Sequence, residues 1–152
     1  LQDERALRVM GYNTASAWIE VGRYEDAYKW FSAQTSPTLM SLHKLAICCE
    51  KTGRREEALR ALDRAAGMDS AEVEHDLAQQ LLGLVRYRLE HPDYLSRDEY
   101  GLLLLDCFDR LQSELPFGYT AFHLPWVLEW YKATRQYKKA CELLEKFPAK
   151  AL

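Results

Sequence analysis

Gly22-Arg23-Tyr24-Glu25-Asp26-Ala27, followed by Phe31, recurs as Gly53-Arg54-Arg55-Glu56-Glu57-Ala58, followed by Leu62. A third copy reads Arg135-Gln136-Tyr137-Lys138-Lys139-Ala140, followed by Leu144. A turn, then a small residue, then a bulky apolar residue one helical turn later describes one helix-turn-helix unit used repeatedly. No single copy can bury its own apolar face, so copies must pack on one another. The recurrence predicts an all-α chain built of helical hairpins, a scaffold for interaction rather than for one particular chemistry.

Residues outward from these turns agree. Leu, Ala, Glu, Arg and Lys are abundant while Ile and Thr are sparse, so strand signals are nearly absent. About eight antiparallel helices are expected, joined by short connections. The first covers about 3–21 and closes at Gly22, the second about 24–33. Ser36-Pro37 supplies an N-cap and a first-turn proline for a third helix ending at Gly53; the fourth runs from about 55 to 66 and stops at Gly67. Asp69-x-x-Glu72 and Ser96-x-x-Glu99 fit capping boxes that open a fifth helix (about 70–90) and a sixth (about 97–114). His91-Pro92-Asp93 breaks the chain between them, and Leu104, Phe108, Leu111 and Leu115 mark one buried stripe. A seventh helix covers about 120–134, with Pro125 as a kink or the effective start, and an eighth about 137–147. The chain reads as one domain, 1–152, with hairpins at about 3–33, 37–67, 70–115 and 120–147.

Composition excludes several classes. At 152 residues, 48% hydrophobic and 28% charged, the chain has the balance of a soluble globular domain. The longest apolar run, Leu102-Leu103-Leu104-Leu105, is far too short for a membrane span. A net charge of −3 with Lys and Arg interleaved among Asp and Glu argues against direct nucleic-acid contact. The opening Leu1-Gln2-Asp3-Glu4-Arg5 is polar and lacks an initiator Met, which reads as a piece of a longer protein or a processed chain. Cys48, Cys49, Cys107 and Cys141 have no C-x-x-C spacing and lie in apolar helical patterns. Reduced thiols behaving as small hydrophobes, in a cytoplasmic protein, are expected.

The turn-and-alanine spacing resembles the tetratricopeptide repeat, a helical hairpin of about 34 residues. The residues that carry the likeness are Ala15, Trp18, Gly22, Tyr24, Ala27 and Phe31 in the first unit. Leu42, Leu45, Ala46, Gly53, Ala58, Leu62 and Ala65 carry it in the second, and Leu124, Val127, Tyr131, Tyr137, Ala140 and Leu144 in the last. The segment from Ser70 to Leu115 departs, with longer helices and no Gly-x-Tyr turn, and Arg135 stands where the family has Gly. The resemblance implies a tetratricopeptide-like α-solenoid whose alanines sit where helices approach closely. It also implies a concave groove for a peptide or protein segment, near Tyr12, Ser16, His43, Lys44, Ile47, Phe122, Trp126 and Glu129.

One use of this fold holds a peptide C-terminus with Lys and Asn at fixed groove positions. Ser16 stands where Asn is needed and Pro125 where a cation would be, so that use is not expected. Tyr119 through Leu144 is similar to the aromatic-rich hairpins of peptide-sensing domains in bacterial helix-turn-helix regulators. That likeness implies a sensing or dimerisation role in transcription regulation. Leu102, Leu103 and Leu105 place Leu around more of the sixth helix than one stripe needs, so either neighbours enclose it or an outer face pairs with a second copy. Trp126 and Trp130, four apart, read as a packing ridge.

Enzyme readings are thin. Glu72-x-x-His75 has the spacing of di-iron carboxylate bundles, but that chemistry needs two such motifs and only one exists. His43 with Cys48 or Cys49 lacks the register and the orienting third group of a nucleophilic site. His123 reads as a loop or core histidine. No Gly-rich phosphate loop is present, and no catalytic residue, metal or other cofactor is expected.

Overall fold

The computed structural model describes residues 2–68, 75–114 and 117–147, with side chains other than those of Gln2, His75, Glu114 and residues 117–122. The described residues are helical and contain no strand: α1 (Gln2–Glu20), α2 (Tyr24–Ser32), α3 (Leu39–Lys51), α4 (Arg55–Ala66), α5 (His75–Glu90), α6 (Asp98–Glu114), α7 (Phe117–Ala133) and α8 (Tyr137–Lys146), with one 3₁₀ turn at Tyr94–Ser96. The all-α expectation holds. Two compact units divide the chain, residues 1–89 and 90–152.

The three recurring turns share one backbone geometry. Gly22 and Gly53 sit at φ +83° and +77°, and Arg135, where glycine is missing, takes φ +59° all the same. The next residue then sends its N–H back across the helix end: Arg23 to the Trp18 carbonyl (2.7 Å), Arg54 to Cys49 (2.8 Å) and Gln136 to Tyr131 (2.8 Å). This reach-back satisfies a carbonyl that the helix end leaves open and reverses the chain within three residues. The same residue starts the next helix, its carbonyl accepting from Ala27, Ala58 or Ala140. Arg23 also lays its guanidinium 5.3 Å from the centre of the Trp18 ring.

In the first unit α2 packs between α1 and α3, and α4 lies against α3. Ala15, Ala27, Ala46, Ala58 and Ala65 are fully buried, with Phe31 and Leu62 beside them. Methyl-sized side chains at these points let the helix axes come close. Gly11 serves the same end, since a Cβ there would overlap the Trp30 indole. In α5, Arg88 donates from Nε and Nη2 to the two carboxylate oxygens of Glu50 on α3 (both 2.7 Å), and that pair is buried. On the surface Arg54 donates to both oxygens of Glu25 (3.0 and 2.6 Å) and stacks 3.8 Å from the Tyr28 ring centre, while Tyr28 donates to Glu57 (2.6 Å).

In the second unit α7 packs on α6 and α8. Tyr100 is buried between Tyr94 and Trp130 in edge-to-face contacts at 4.9 and 5.9 Å, and Gly101 leaves the space that Trp130 fills. The third copy is less enclosed than the others: Ala140 is half-buried and Leu144 is exposed.

Several boundaries differ from expectation. The N-cap of α3 is Thr38, not Ser36, its hydroxyl accepting from the Ser41 N–H (3.1 Å). Ser96 does not cap α6; its hydroxyl donates to the Asp93 carbonyl (2.7 Å), and Arg97 is the extended residue before the helix. Pro125 lies exposed inside α7, which begins at Phe117, so it is not the start of the helix. Gly67 closes α4 with a right-handed φ of −83°. Asp69-x-x-Glu72 and Leu115 lie outside the described residues.

A Cβ at Gly22 or Gly53 would meet no atom within 4 Å, so only the dihedral restricts substitution there. Gly22→Ala and Gly53→Ala are each expected to destabilise by about 1 kcal/mol, the cost of a left-handed L-residue. Arg135→Gly removes that strain and is expected to be neutral or to stabilise by up to about 1 kcal/mol. Urea midpoints at unchanged slope measure both.

Candidate ligand-binding site

In the first unit, residues of α1 and α3 assigned to a groove do meet. Tyr12 and Ser16 stand one turn apart on α1, and Lys44 of α3 reaches across to them. The Lys44 ammonium donates to the Ser16 hydroxyl (2.8 Å) and lies 4.3 Å from the centre of the Tyr12 ring. Lys44 is only 9% exposed. Burial, which penalises the charged form, pushes its pKa from 10.5 down to about 8, against the opposing pull of Glu20.

Beside Tyr12 an open cleft of about 310 Å³ lies between the first half of α1, the end of α2 and the start of α3. Tyr12 and Trp30 form its aromatic wall, edge to face at 6.3 Å, and Phe31 backs Tyr12 at 5.9 Å. Arg5 and Arg8 project from α1 at its rim, and Gln34 and Thr38 close the far side. Much of the polar edge is already committed: Gln34 donates to the Trp30 carbonyl (2.9 Å), and Thr38 caps α3. The cleft is therefore an apolar, aromatic pocket edged by two guanidinium groups.

Two other assigned positions lie elsewhere. His43 is 0% exposed and Ile47 2%, so both are core residues that offer no surface to a ligand. The reason is that α3 buries nine of its 13 residues, being packed against α1, α2 and α4 and tied to α5 through Glu50, so beyond its first turn it offers little surface to a groove. In the second unit, Glu129 is exposed and accepts from the Tyr94 hydroxyl (3.2 Å), and Trp126 is half-buried, edge to face with buried His123 at 4.7 Å. Trp130 is buried against Tyr100, so the two tryptophans differ in role. The Phe122 side chain lies outside those described, as do Glu72 and the His75 side chain.

Leu102 and Leu103 are 73% and 47% exposed on α6, while Leu104 is buried and Leu105 half-buried. Cys48, Cys49 and Cys107 are buried free thiols pushed by burial up to about 12, 11 and 12, whereas Cys141 is exposed, unlike the expected small-hydrophobe role.

Sequence reasoning missed Arg5, Arg8 and Trp30. Arg5, Arg8, Tyr12 and Ser16 follow a 3-4-4 spacing on one helical face, a readable signal. Gly11 inside α1 was a second signal, because a helical glycine marks a close approach. Comparison with protein-family models, curated proteins and solved structures finds no match. Among the described residues no helix is long and apolar enough to cross a membrane.

Below pH 8 Lys44 keeps its proton in the folded chain at a cost. Between its folded value of about 8 and the ordinary 10.5, the unfolded chain holds that proton more often, so rising pH favours the fold. The raised thiols act oppositely, favouring the fold below their ordinary 9.0 and losing that contribution toward about 12. Comparing Lys44→Met with the parent isolates the lysine. The variant is expected to be more stable at pH 7 by on the order of 1–3 kcal/mol. Its advantage should shrink as pH rises from about 8 to 10.5, read by urea denaturation across pH.

Proposed function

We propose that the chain is a non-enzymatic module of tetratricopeptide-like helical hairpins that captures a peptide or protein segment. The observation that carries the reading is the open cleft beside Tyr12 and Trp30, an aromatic wall on rigid helices next to the Lys44–Ser16 pair. Rigid rings give contact area at little entropic cost, which suits peptide capture. The three turns of common geometry support the hairpin-repeat part of the reading. The further idea, that the module is the sensing part of a transcriptional regulator, rests on the likeness of residues 119–144 alone. An anisotropy screen of labelled peptides against the full chain tests capture. Binders are expected, weakened at least about fivefold by Tyr12→Ala or Trp30→Ala; a library with no binder, or binders indifferent to both changes, ends the reading.

A second reading, homodimerisation, is favoured by the exposure of Leu102 and Leu103 on α6. Exposed Glu99 and Asp106 flank them, so pairing of this face with itself must overcome like charge and should strengthen with salt. Light scattering is expected to give a dimer that Leu102→Gln with Leu103→Gln converts to a monomer. A monomer at high concentration and high salt would remove the idea.

A further inference from the structure

Among the described residues, the charged side chains that line the cleft are both cationic. Arg5 and Arg8 stand at its rim, no described Asp or Glu lines it (Asp3 and Glu4 lie on the same helix outside the lining), and neither arginine makes an ion pair with a described residue. Buried Lys44 lies behind the Tyr12 ring with its ammonium against the ring face. The N-terminal turn of α3, capped by Thr38, adds the positive end of a 13-residue helix. A cationic rim over an aromatic wall is complementary to a carboxylate carried next to an aromatic side chain.

Spacing narrows the ligand further. Along α1, Arg8 and Tyr12 are four residues apart, about 6 Å of rise. In an extended peptide, alternate residues point to the same side at about 6.6–6.8 Å. A segment lying along α1 therefore places an acidic side chain at Arg8 when an aromatic two residues away enters the Tyr12–Trp30 wall, and Arg5, about 4.5 Å further along the helix axis, extends the same cationic rim. We infer that the cleft of the first unit binds an extended, internal acidic segment of a partner protein, with Asp or Glu two residues from Phe or Tyr. The inference deepens the capture reading and rests on it, adding the chemistry of the ligand.

The test uses the full chain and acetylated, amidated, fluorescein-labelled decapeptides whose cores are Glu-Ser-Phe, Gln-Ser-Phe, Lys-Ser-Phe and Glu-Ser-Ala. Glu-Ser-Phe is expected to bind tightest, to weaken with added salt, and to lose about fivefold in affinity with Arg5→Gln or Arg8→Gln. Both arginines are exposed, so these variants should keep the parent's circular dichroism. A shift of the Trp30 indole N–H resonance places the peptide at the cleft. A Gln-Ser-Phe peptide ending in a free carboxylate separates a chain terminus from a side chain; if it binds more tightly than Glu-Ser-Phe, the internal-segment inference is overturned. Equal binding of Gln-Ser-Phe, or indifference to the Arg5→Gln/Arg8→Gln double change, also overturns it. If a neutral or basic peptide wins and Trp30→Ala abolishes its binding, acid recognition fails while capture stands. If no peptide binds, both fail.

Discussion

A single residue held in the left-handed region, followed by an N–H that reaches back to close the preceding helix, sets the geometry of each recurring hairpin. At Gly22, Gly53 and Arg135 the chain reverses within three residues and starts its next helix from the same point. Once two helices are joined so tightly they must lie side by side, and the residues between them must be small. Ala15, Ala27, Ala46 and Ala58 answer that demand by disappearing from the surface, which brings Phe31 and Leu62 into contact with the neighbouring helices. The cleft beside Tyr12 follows from the same constraint. Trp30 stands near the end of α2 against Gly11, where the absence of a Cβ lets the indole lie close to α1 and form a wall.

Charge inside the first unit is placed with more consequence than charge outside it. In the array of Glu25, Tyr28, Arg54 and Glu57 only Glu25 is exposed and the others are half-buried, and ion pairs so close to water contribute little. Arg88 and Glu50 are buried together, so removing either alone would strand a charge. The pair ties α5 to α3 through two hydrogen bonds. Lys44 is a further buried cation of this unit, its ammonium donating to the Ser16 hydroxyl and lying over the Tyr12 ring. Its depressed pKa is the measure of that imperfect exchange for water.

The eight helices were legible because periodicity and breakers act locally, and the turns were legible because the same local constraint was written three times. Even the lapse at Arg135 kept the geometry, with φ +59° and the same reach-back from the next N–H. Caps were less legible. Ser36 and Ser96 look as suitable as Thr38, and only the path of the chain decides which hydroxyl faces open N–H groups. The register that brought Tyr12, Ser16 and Lys44 together also assigned His43 and Ile47 to a surface. It did so because periodicity divides a helix into an inner and an outer face, whereas α3 is covered on nearly all sides.

From the sequence alone came the helical class, the hairpin turns and the small residues at close contacts, all consequences of spacing within one or two turns of helix. Tertiary structure decided what spacing cannot carry. It paired Arg88 with Glu50 and Lys44 with Ser16, left Leu102 and Leu103 exposed while burying His43, and opened a cleft where Trp30 meets Gly11. Each of these depends on which helices face one another across long stretches of chain, and packing settles that only when the helices are assembled.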